Sequence, residues 1–317
     1  MNAASLTPRL VRHLADMRRL SFDMTTAEVV NGLQERGVRV LLLKGPVLEA
    51  WLYPDGRRSY GDIDLIVSPE NFGRAEVALA DFGFGRCLAG ARAAELNPDE
   101  RGWRRGANVV VDLHRSLPGV TAAPEAVWSL LRERATSLVI AGTDVDIPDT
   151  ATNAFHVALH ASQHGRKVAK PLEDLRRALA RGDEQVWREA ADIAGKLQNS
   201  GTFALGLSLL PAGAELVRRL GLEERAPAEA HLRIQGAPPM SLVLLKLTEP
   251  IPTRERLALL GCKLKPSATI MRAKYRLARR GKLGLLAAYA LRPFRLGVHA
   301  PAALRAVRKA RRATRDS

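Results

Sequence analysis

Two carboxylates in a short apolar run constrain this chain more than any other feature of its sequence. The run from Asp62 to Val67 reads DIDLIV and predicts a buried strand. Residues two apart on a strand point to the same face, so Asp62 and Asp64 project side by side while Ile63 and Leu65 face a core. Adjacent carboxylates repel each other, and a cation between them removes that cost. The run therefore predicts a site for Mg²⁺ (or Mn²⁺), which carboxylate oxygens hold well.

A third carboxylate lies in a second apolar run, from Val109 to His114. Asp112 is the one acid of this predicted strand, and a lone buried charge is costly unless it is paired or binds metal. Three carboxylates are enough for a two-metal site of the kind that stabilises an in-line displacement. His114 shares the face of Asp112, and two roles remain open for it: contact with a bound ligand, or orientation of the carboxylate.

A strand, a turn and a helix start follow one another at Leu41-Leu42-Leu43-Lys44-Gly45-Pro46. Glycine lets the backbone approach a phosphate closely, and a helix N-terminus attracts the anion. The Lys44 ammonium adds a point charge for a phosphate oxygen. Lys44 and Gly45 are therefore predicted to bind phosphate.

Together these motifs resemble the DNA polymerase β-like nucleotidyltransferase superfamily, and within it the uncharacterised nucleotidyltransferase family. The resemblance covers roughly residues 30–180. It rests on the following motifs: Leu43-Lys44-Gly45, Tyr53-Pro54, Arg58, Asp62-Ile63-Asp64, Asp112-Leu113-His114 and the helix from His160 to His164. The chain departs from the superfamily at Pro46, which stands where serine is usual.

The resemblance implies an enzyme that transfers a nucleoside monophosphate from a nucleoside triphosphate, such as ATP, to an acceptor hydroxyl, with release of pyrophosphate. The catalytic and metal-binding residues it implies are Asp62, Asp64 and Asp112. The nucleotide-binding residues it implies are Lys44, Gly45, Arg58, His114, His160 and His164. Arg58 has an alternative role in stabilising the fold. His160 and His164 are interpreted either as part of a helix face that lines the cleft or as ordinary core and surface residues.

The fold predicted from these patterns is α/β (α+β). A small mixed sheet with N-terminal helices, residues 1–149, precedes a mostly helical domain, 150–262, and a basic helical tail, 263–317. The two cysteines are too few for a disulfide framework, and no secretory signal or membrane-spanning run of apolar residues is seen, so a cytoplasmic location is expected.

The net charge of +16 is concentrated in the tail. From Lys263 onward there are sixteen Lys and Arg residues and one acid, Asp316, whereas the preceding 262 residues are almost neutral. Such segregation indicates an anionic partner. Three interpretations remain open for the tail: nucleic acid, an anionic membrane surface, or solvated helices without a partner. The acceptor also remains open between a tRNA end, a protein or peptide, and a small molecule. The competing class is an inactive nucleotide-binding protein, or one that binds nucleic acid or membrane through the tail.

Overall fold

The computed structural model describes residues 8–54, 58–87, 99–106, 109–222, 225–250 and 252–316. It has a mixed α/β fold in which a small mixed sheet near the N-terminus is followed by helices, and the predicted fold class is confirmed. The described chain divides into two compact units. The first contains the described residues up to Cys87 and Asp99–Ala154, and the second contains those from Phe155 onward. The predicted division into three domains stays a prediction.

The sheet of the first unit has five strands in the order β1-β2-β5-β4-β3. Its central pair, β2 and β5, is parallel, and its other pairs are antiparallel. The strands are β1 (Val40–Leu43), β2 (Ile63–Val67), β3 (Gly85–Arg86), β4 (Glu100–Arg105) and β5 (Val109–His114). The three strands predicted from apolar runs, β1, β2 and β5, are therefore confirmed.

Strand β4 was not predicted, because its sequence ERGWRR lacks the alternation of apolar and polar residues. Trp103 is the side chain of this strand that enters the core. Pairing of all six β4 residues with β5 compensates for the weak pattern, since the partner strand supplies both the hydrogen bonds and the apolar face.

The separate N-terminal helices expected from the sequence form one continuous helix, α1 (Pro8–Glu35), with no break in the segment 21–26. Two threonines in that segment bond back to the helix, because the hydroxyls of Thr25 and Thr26 donate to the carbonyls of Ser21 and Phe22. No glycine or proline interrupts the helix there. Val29, Val30 and Leu33 are buried against the sheet core.

Alternation along β2 and β5 gives the sheet one apolar face. Ile63, Leu65 and Val67 join Val111 and Leu113 in the core of the first unit. Helix α2 (Gly45–Leu52) follows β1, and α3 (Phe72–Asp81) follows β2. Helix α4 (Pro124–Glu133) then leads to the hairpin of β6 (Ala135–Ile140) and β7 (Thr143–Pro148). The intervening Ala141 and Gly142 both have positive φ, as a tight type I′ turn requires.

Helices α5 to α14 account for most of the chain after Pro148. They are α5 (Thr150–His164), α6 (Ala169–Arg181), α7 (Glu184–Lys196), α8 (Ser200–Leu207), α9 (Pro211–Arg219), α10 (Ala228–Ile234), α11 (Pro239–Leu247), α12 (Thr253–Leu264), α13 (Ala268–Lys274) and α14 (Gly281–Asp316). None of the described helices has both the length and the apolar character needed to cross a bilayer.

Candidate active site

Asp64 and Asp112 lie opposite each other on the two parallel strands at the centre of the sheet. The register of β2 and β5 pairs these two residues, and it pairs Ile66 with His114. Because side chains alternate along a strand, the core residues of β2 and β5 take one face and the two carboxylates take the other. The fold thus brings together acids that are 48 residues apart in the sequence.

Asp64 is buried and has a cationic partner. The Lys44 ammonium Nζ donates to Asp64 Oδ1 over 2.9 Å, and His114 Nε2 lies 3.3 Å from the same oxygen. An ionised carboxylate only accepts hydrogen bonds, so the Nε2 of His114 carries the proton. Burial alone raises the pKa of Asp64, but the His114 hydrogen bond and the Lys44 charge outweigh it and hold this pKa well below its usual range. Asp64 is therefore a carboxylate anion at neutral pH.

Asp112 has the opposite electrostatic balance. Burial first, and then the negative charge of Asp64, raise the pKa of Asp112 to about 6. His114 opposes this shift, and Glu100 and Asp62 add smaller contributions to it. On the neighbouring strand, Gly102 pairs with Asp112. A Cβ at Gly102 would lie 3.4 Å from Asp112 Oδ1, so glycine leaves room beside this carboxylate. Asp112 is partly exposed, and the two carboxylates carry more negative charge than Lys44 neutralises.

The carboxylates suit a divalent cation by their chemistry. They offer hard oxygen donors and a mutual repulsion that a cation would relieve. Asp62 directly precedes β2 and is exposed, although its charge still acts on Asp112. Within the described ranges, no group of three or more His, Cys, Asp or Glu side chains is arranged to hold a metal ion. Asp64 and Asp112 are the paired carboxylates that would hold such a cation, and Asp62 is the exposed third carboxylate that the sequence assigned to it.

The turn between β1 and α2 places Lys44 beside Asp64. Lys44 has φ 49° and ψ −142°. Residues other than glycine adopt this backbone conformation at a cost of about 1 kcal/mol or more. Gly45 also has positive φ, at 43°. The carbonyl of Lys44 accepts from the N–H of Val47 and so begins α2. This strained turn directs the Lys44 side chain to Asp64 and places the buried Gly45 at the start of α2.

Arg58 contacts the turn between β1 and α2. It is buried, and its guanidinium donates to the carbonyl of Gly45 over 3.4 Å. Its positive charge also acts on the buried Glu49 of α2, whose pKa burial raises. These contacts are those expected of the fold-stabilising role that the sequence left open for Arg58.

A polar cluster around Tyr60 also holds the turn, and sequence analysis did not find it. The Tyr60 hydroxyl donates to Asp23 of α1 over 2.5 Å, and Arg19 lies 3.3 Å from Glu49. The ring of Tyr60 lies next to Gly45, 3.8 Å from an ideal Cβ at that position. No local sequence signal connects a residue of α1 with a residue 37 positions later. Glu100 and Gly102 were missed for a related reason, since β4 itself was not predicted.

The histidines of α5 lie in the second unit. His156 is buried, His160 is partly buried and His164 is exposed. The rings of His160 and His164 stack edge to face, with centroids 4.6 Å apart. Lys44, Asp64, Asp112 and His114 are thus assembled within the first unit, whereas the role of His160 and His164 in nucleotide binding stays a prediction.

Several solved structures resemble this chain at low sequence identity. The structure of ANT(2'')-Ia in complex with adenylyl-2''-tobramycin is 18% identical, with a TM-score of 0.41, and the match covers 55% of this chain and 97% of that one. The lincosamide antibiotic adenylyltransferase LnuA, bound to lincomycin, is 13% identical, with a TM-score of 0.35 and coverages of 49% and 94%. An antigenic nucleotidyltransferase-like protein from Paracoccidioides brasiliensis is 15% identical, with a TM-score of 0.36 and coverages of 60% and 92%.

No curated protein sequence matches this chain. The sequence does match the family described as uncharacterised nucleotidyltransferase, over residues 9–212. This match spans the sheet with Lys44, Asp64, Asp112 and His114 and continues through the first helices of the second unit. The chain therefore belongs to the uncharacterised nucleotidyltransferase family.

Proposed function

We propose that this protein is a metal-dependent nucleotidyltransferase that uses a nucleoside triphosphate and Mg²⁺ or Mn²⁺. The observation that carries the proposal is the pairing of Asp64 with Asp112 on adjacent parallel strands, next to the ammonium of Lys44. Two carboxylates and a lysine beside a helix start match the needs of phosphoryl chemistry, in which positioning and charge neutralisation do most of the work. A cytoplasmic location stays a prediction.

In this proposal, Asp64, Asp112 and Asp62 are the residues that would hold the metal. When bound there, the metal would supply positive charge to neutralise the triphosphate. Lys44 leaves Asp64 and binds a phosphate oxygen, while the N-terminus of α2 at Gly45 faces the anion. His114 keeps its hydrogen bond to Asp64 and so fixes the orientation of that carboxylate.

The bond-making step consists of attack by an acceptor hydroxyl oxygen on the α-phosphorus. The new oxygen–phosphorus bond forms as the bond to the bridging oxygen breaks, and pyrophosphate leaves with that electron pair. Asp112 takes the hydroxyl proton, as a positioned carboxylate beside the acceptor can do. The acceptor stays open between a tRNA end, a protein or peptide, and a small molecule.

A direct metal-binding measurement tests the first half of the proposal. Electron paramagnetic resonance of Mn²⁺ should show bound metal in the wild type, and weaker binding in Asp64→Asn and Asp112→Asn. Asp81→Asn provides a matched control, because Asp81 is an exposed acid of the same unit that lies near Arg36 rather than in the site. Equal Mn²⁺ binding by all four proteins would overturn the site.

Transfer itself is tested with each of the four ribonucleoside triphosphates, labelled at the α-phosphate, in the presence of cell extract. Label should appear on an acceptor with the wild type and with Asp81→Asn, and Asp64→Asn should reduce it by at least about 100-fold. Nucleotide binding without any labelled acceptor would favour the competing class, a binding protein that lacks catalysis. Full activity of Asp64→Asn would contradict the assignment of the site.

A further inference from the structure

The long C-terminal helix α14 has two apolar faces. The inner face packs on the second unit, where Val307 and Ala310 join Leu232 and Leu245 in one cluster, and Ala288 joins Met271 and Ala278 in another. Polar contacts reinforce this packing, since Tyr289 donates to the carbonyl of Pro266 and Arg292 donates to Tyr275. One side of α14 is therefore already satisfied within the chain.

The opposite side of α14 presents large apolar side chains to the outside. Leu283 is 82% exposed, Phe294 is 73% exposed, and Leu286 is 65% exposed. At 3.6 residues per turn, these three positions fall on one stripe, opposite Ala288 and Arg292 of the inner face. The stripe continues with further exposed residues: Leu291, Val298 and Leu304. An exposed apolar stripe of this length marks an interaction surface rather than a solvated helix face.

Near the C-terminal end of α14, the exposed residues on its outer side are mostly basic. Arg305, Arg308, Lys309 and Arg312 are all exposed. Arg305 and Lys309 also line an open groove of about 410 Å³ beside the turn from Gln235 to Pro238. Two cations at a concave site suit a small anionic group. The single acid in the last 55 residues, Asp316, lies at the far end of the helix.

We propose that the outer face of α14 binds an anionic lipid surface, with its leucine and phenylalanine stripe in the interface and its basic end among the headgroups. A helix that combines an apolar face with a cationic end binds such a surface by burial of apolar area and by attraction to anionic lipid. The proposal is independent of the proposed function, because it uses no residue of the first unit.

Nucleic acid fits this face less well. Phosphate contacts would engage the basic end, but Leu283, Leu286 and Phe294 would gain nothing from a polar, hydrated backbone. A lipid interface satisfies both parts of the helix.

The test uses the full chain and vesicles of phosphatidylcholine, alone or in an equal mixture with phosphatidylglycerol. Sedimentation should carry the wild type down with the mixed vesicles, and salt should weaken this binding. Substitution of Arg305, Arg308, Lys309 and Arg312 by Gln should weaken it by about 5-fold per charge removed. Gln at Arg181 and Lys196, exposed cations elsewhere on the second unit, provides the matched control.

The apolar stripe is tested separately. Leu286→Ser with Phe294→Ser should reduce vesicle binding at least about 10-fold. Val77→Ser with Val139→Ser, two exposed valines of the first unit, should not reduce it. Thermal unfolding monitored by circular dichroism identifies any variant that fails to fold. Phe294→Trp adds a fifth tryptophan to the four of the wild type, and in mixed vesicles brominated lipids should quench this variant more than the wild type. Val77→Trp should be quenched no more than the wild type.

Two outcomes would overturn the proposal. One is the absence of binding to mixed vesicles; binding of bulk tRNA that the two serine substitutions leave unchanged would then assign the basic end to nucleic acid. The other is vesicle binding that neither the serine nor the glutamine substitutions alter, which would place the contact outside α14.

Discussion

At Asp112 the sheet holds a carboxylate whose neighbours are mostly negative. Lys44 and His114 both hydrogen-bond to Asp64 and stabilise its charged form. The repulsion between the two acids therefore raises the pKa of Asp112 instead. Sequence alone predicts that both residues are acids on apolar strands. It does not predict which of the two receives the cation, because that depends on where the turn at Lys44 points.

The raised pKa of Asp112 makes the stability of the metal-free protein depend on pH. Its folded-state pKa of about 6 lies above the ordinary 3.8, so the stabilisation by the bound proton is complete below about pH 4 and is lost as the pH rises through 6. Asp112→Asn removes this loss. Solvent screening of the partly exposed carboxyl reduces the roughly 3 kcal/mol that this shift would represent, so we expect a gain near 1 kcal/mol at pH 7. This gain would raise the melting temperature by about 2–4 °C over the wild type, with no difference at pH 4. Equal melting temperatures at pH 7 would contradict this account.

Gly102 keeps space open beside Asp112. In Gly102→Ala the new methyl would lie 3.4 Å from Asp112 Oδ1 and from Cys87 Cβ. We expect stability within about 1 kcal/mol of the wild type, since alanine restricts the unfolded chain, but at least about 10-fold slower transfer, because the methyl would occupy space beside the proposed metal ligand. Gly85→Ala, on the edge strand β3, would place its methyl 3.9 Å from the carbonyl oxygen of Arg104 and should retain its rate. An unchanged rate in Gly102→Ala would show that the space is not needed.

At the scale of elements, apolar runs predict the strands that carry the acids, and turn residues predict where β1 gives way to α2. The sequence does not predict β4, whose charged residues depend on pairing with β5. Nor does it predict that Asp62 lies just outside β2, since strand ends depend on the neighbouring chain. The candidate site is therefore predictable in its chemistry, while its rim depends on contacts distant in sequence.

The turn from β1 to α2 provides the element-scale prediction. Gly45 has φ 43°, so Gly45→Ala should cost about 1 kcal/mol in folding free energy. Because the same turn aims Lys44 at the carboxylates, we expect a larger effect on triphosphate binding, measured by calorimetry with Mg²⁺, than on the melting temperature. Gly73→Ala, at an open position in α3, should instead leave binding unchanged and stability equal or higher. A parallel loss of binding in both variants would argue against a special role for the turn.

At the scale of the whole molecule, charge and chemistry are separated along the chain. The carboxylates and Lys44 lie in the first unit, whereas the excess positive charge lies after Lys263. This separation is visible in the sequence. The exposed apolar stripe of α14 is not, because the same helical spacing produces the buried inner face, and only the packing distinguishes the two.

The last prediction follows from that separation. If α14 binds lipid while the first unit performs transfer, transferase activity should sediment with anionic vesicles. The rate of the chemical step should not change. After sedimentation with mixed vesicles, the wild type should lose transferase activity from the supernatant, whereas the variant with Gln at Arg305, Arg308, Lys309 and Arg312 should retain it there. Without vesicles, both proteins should have the same kcat and the same KM for the nucleotide, since the residues proposed for transfer all belong to the first unit and none of them is substituted. A lower kcat in the variant would instead assign these basic residues to the reaction itself.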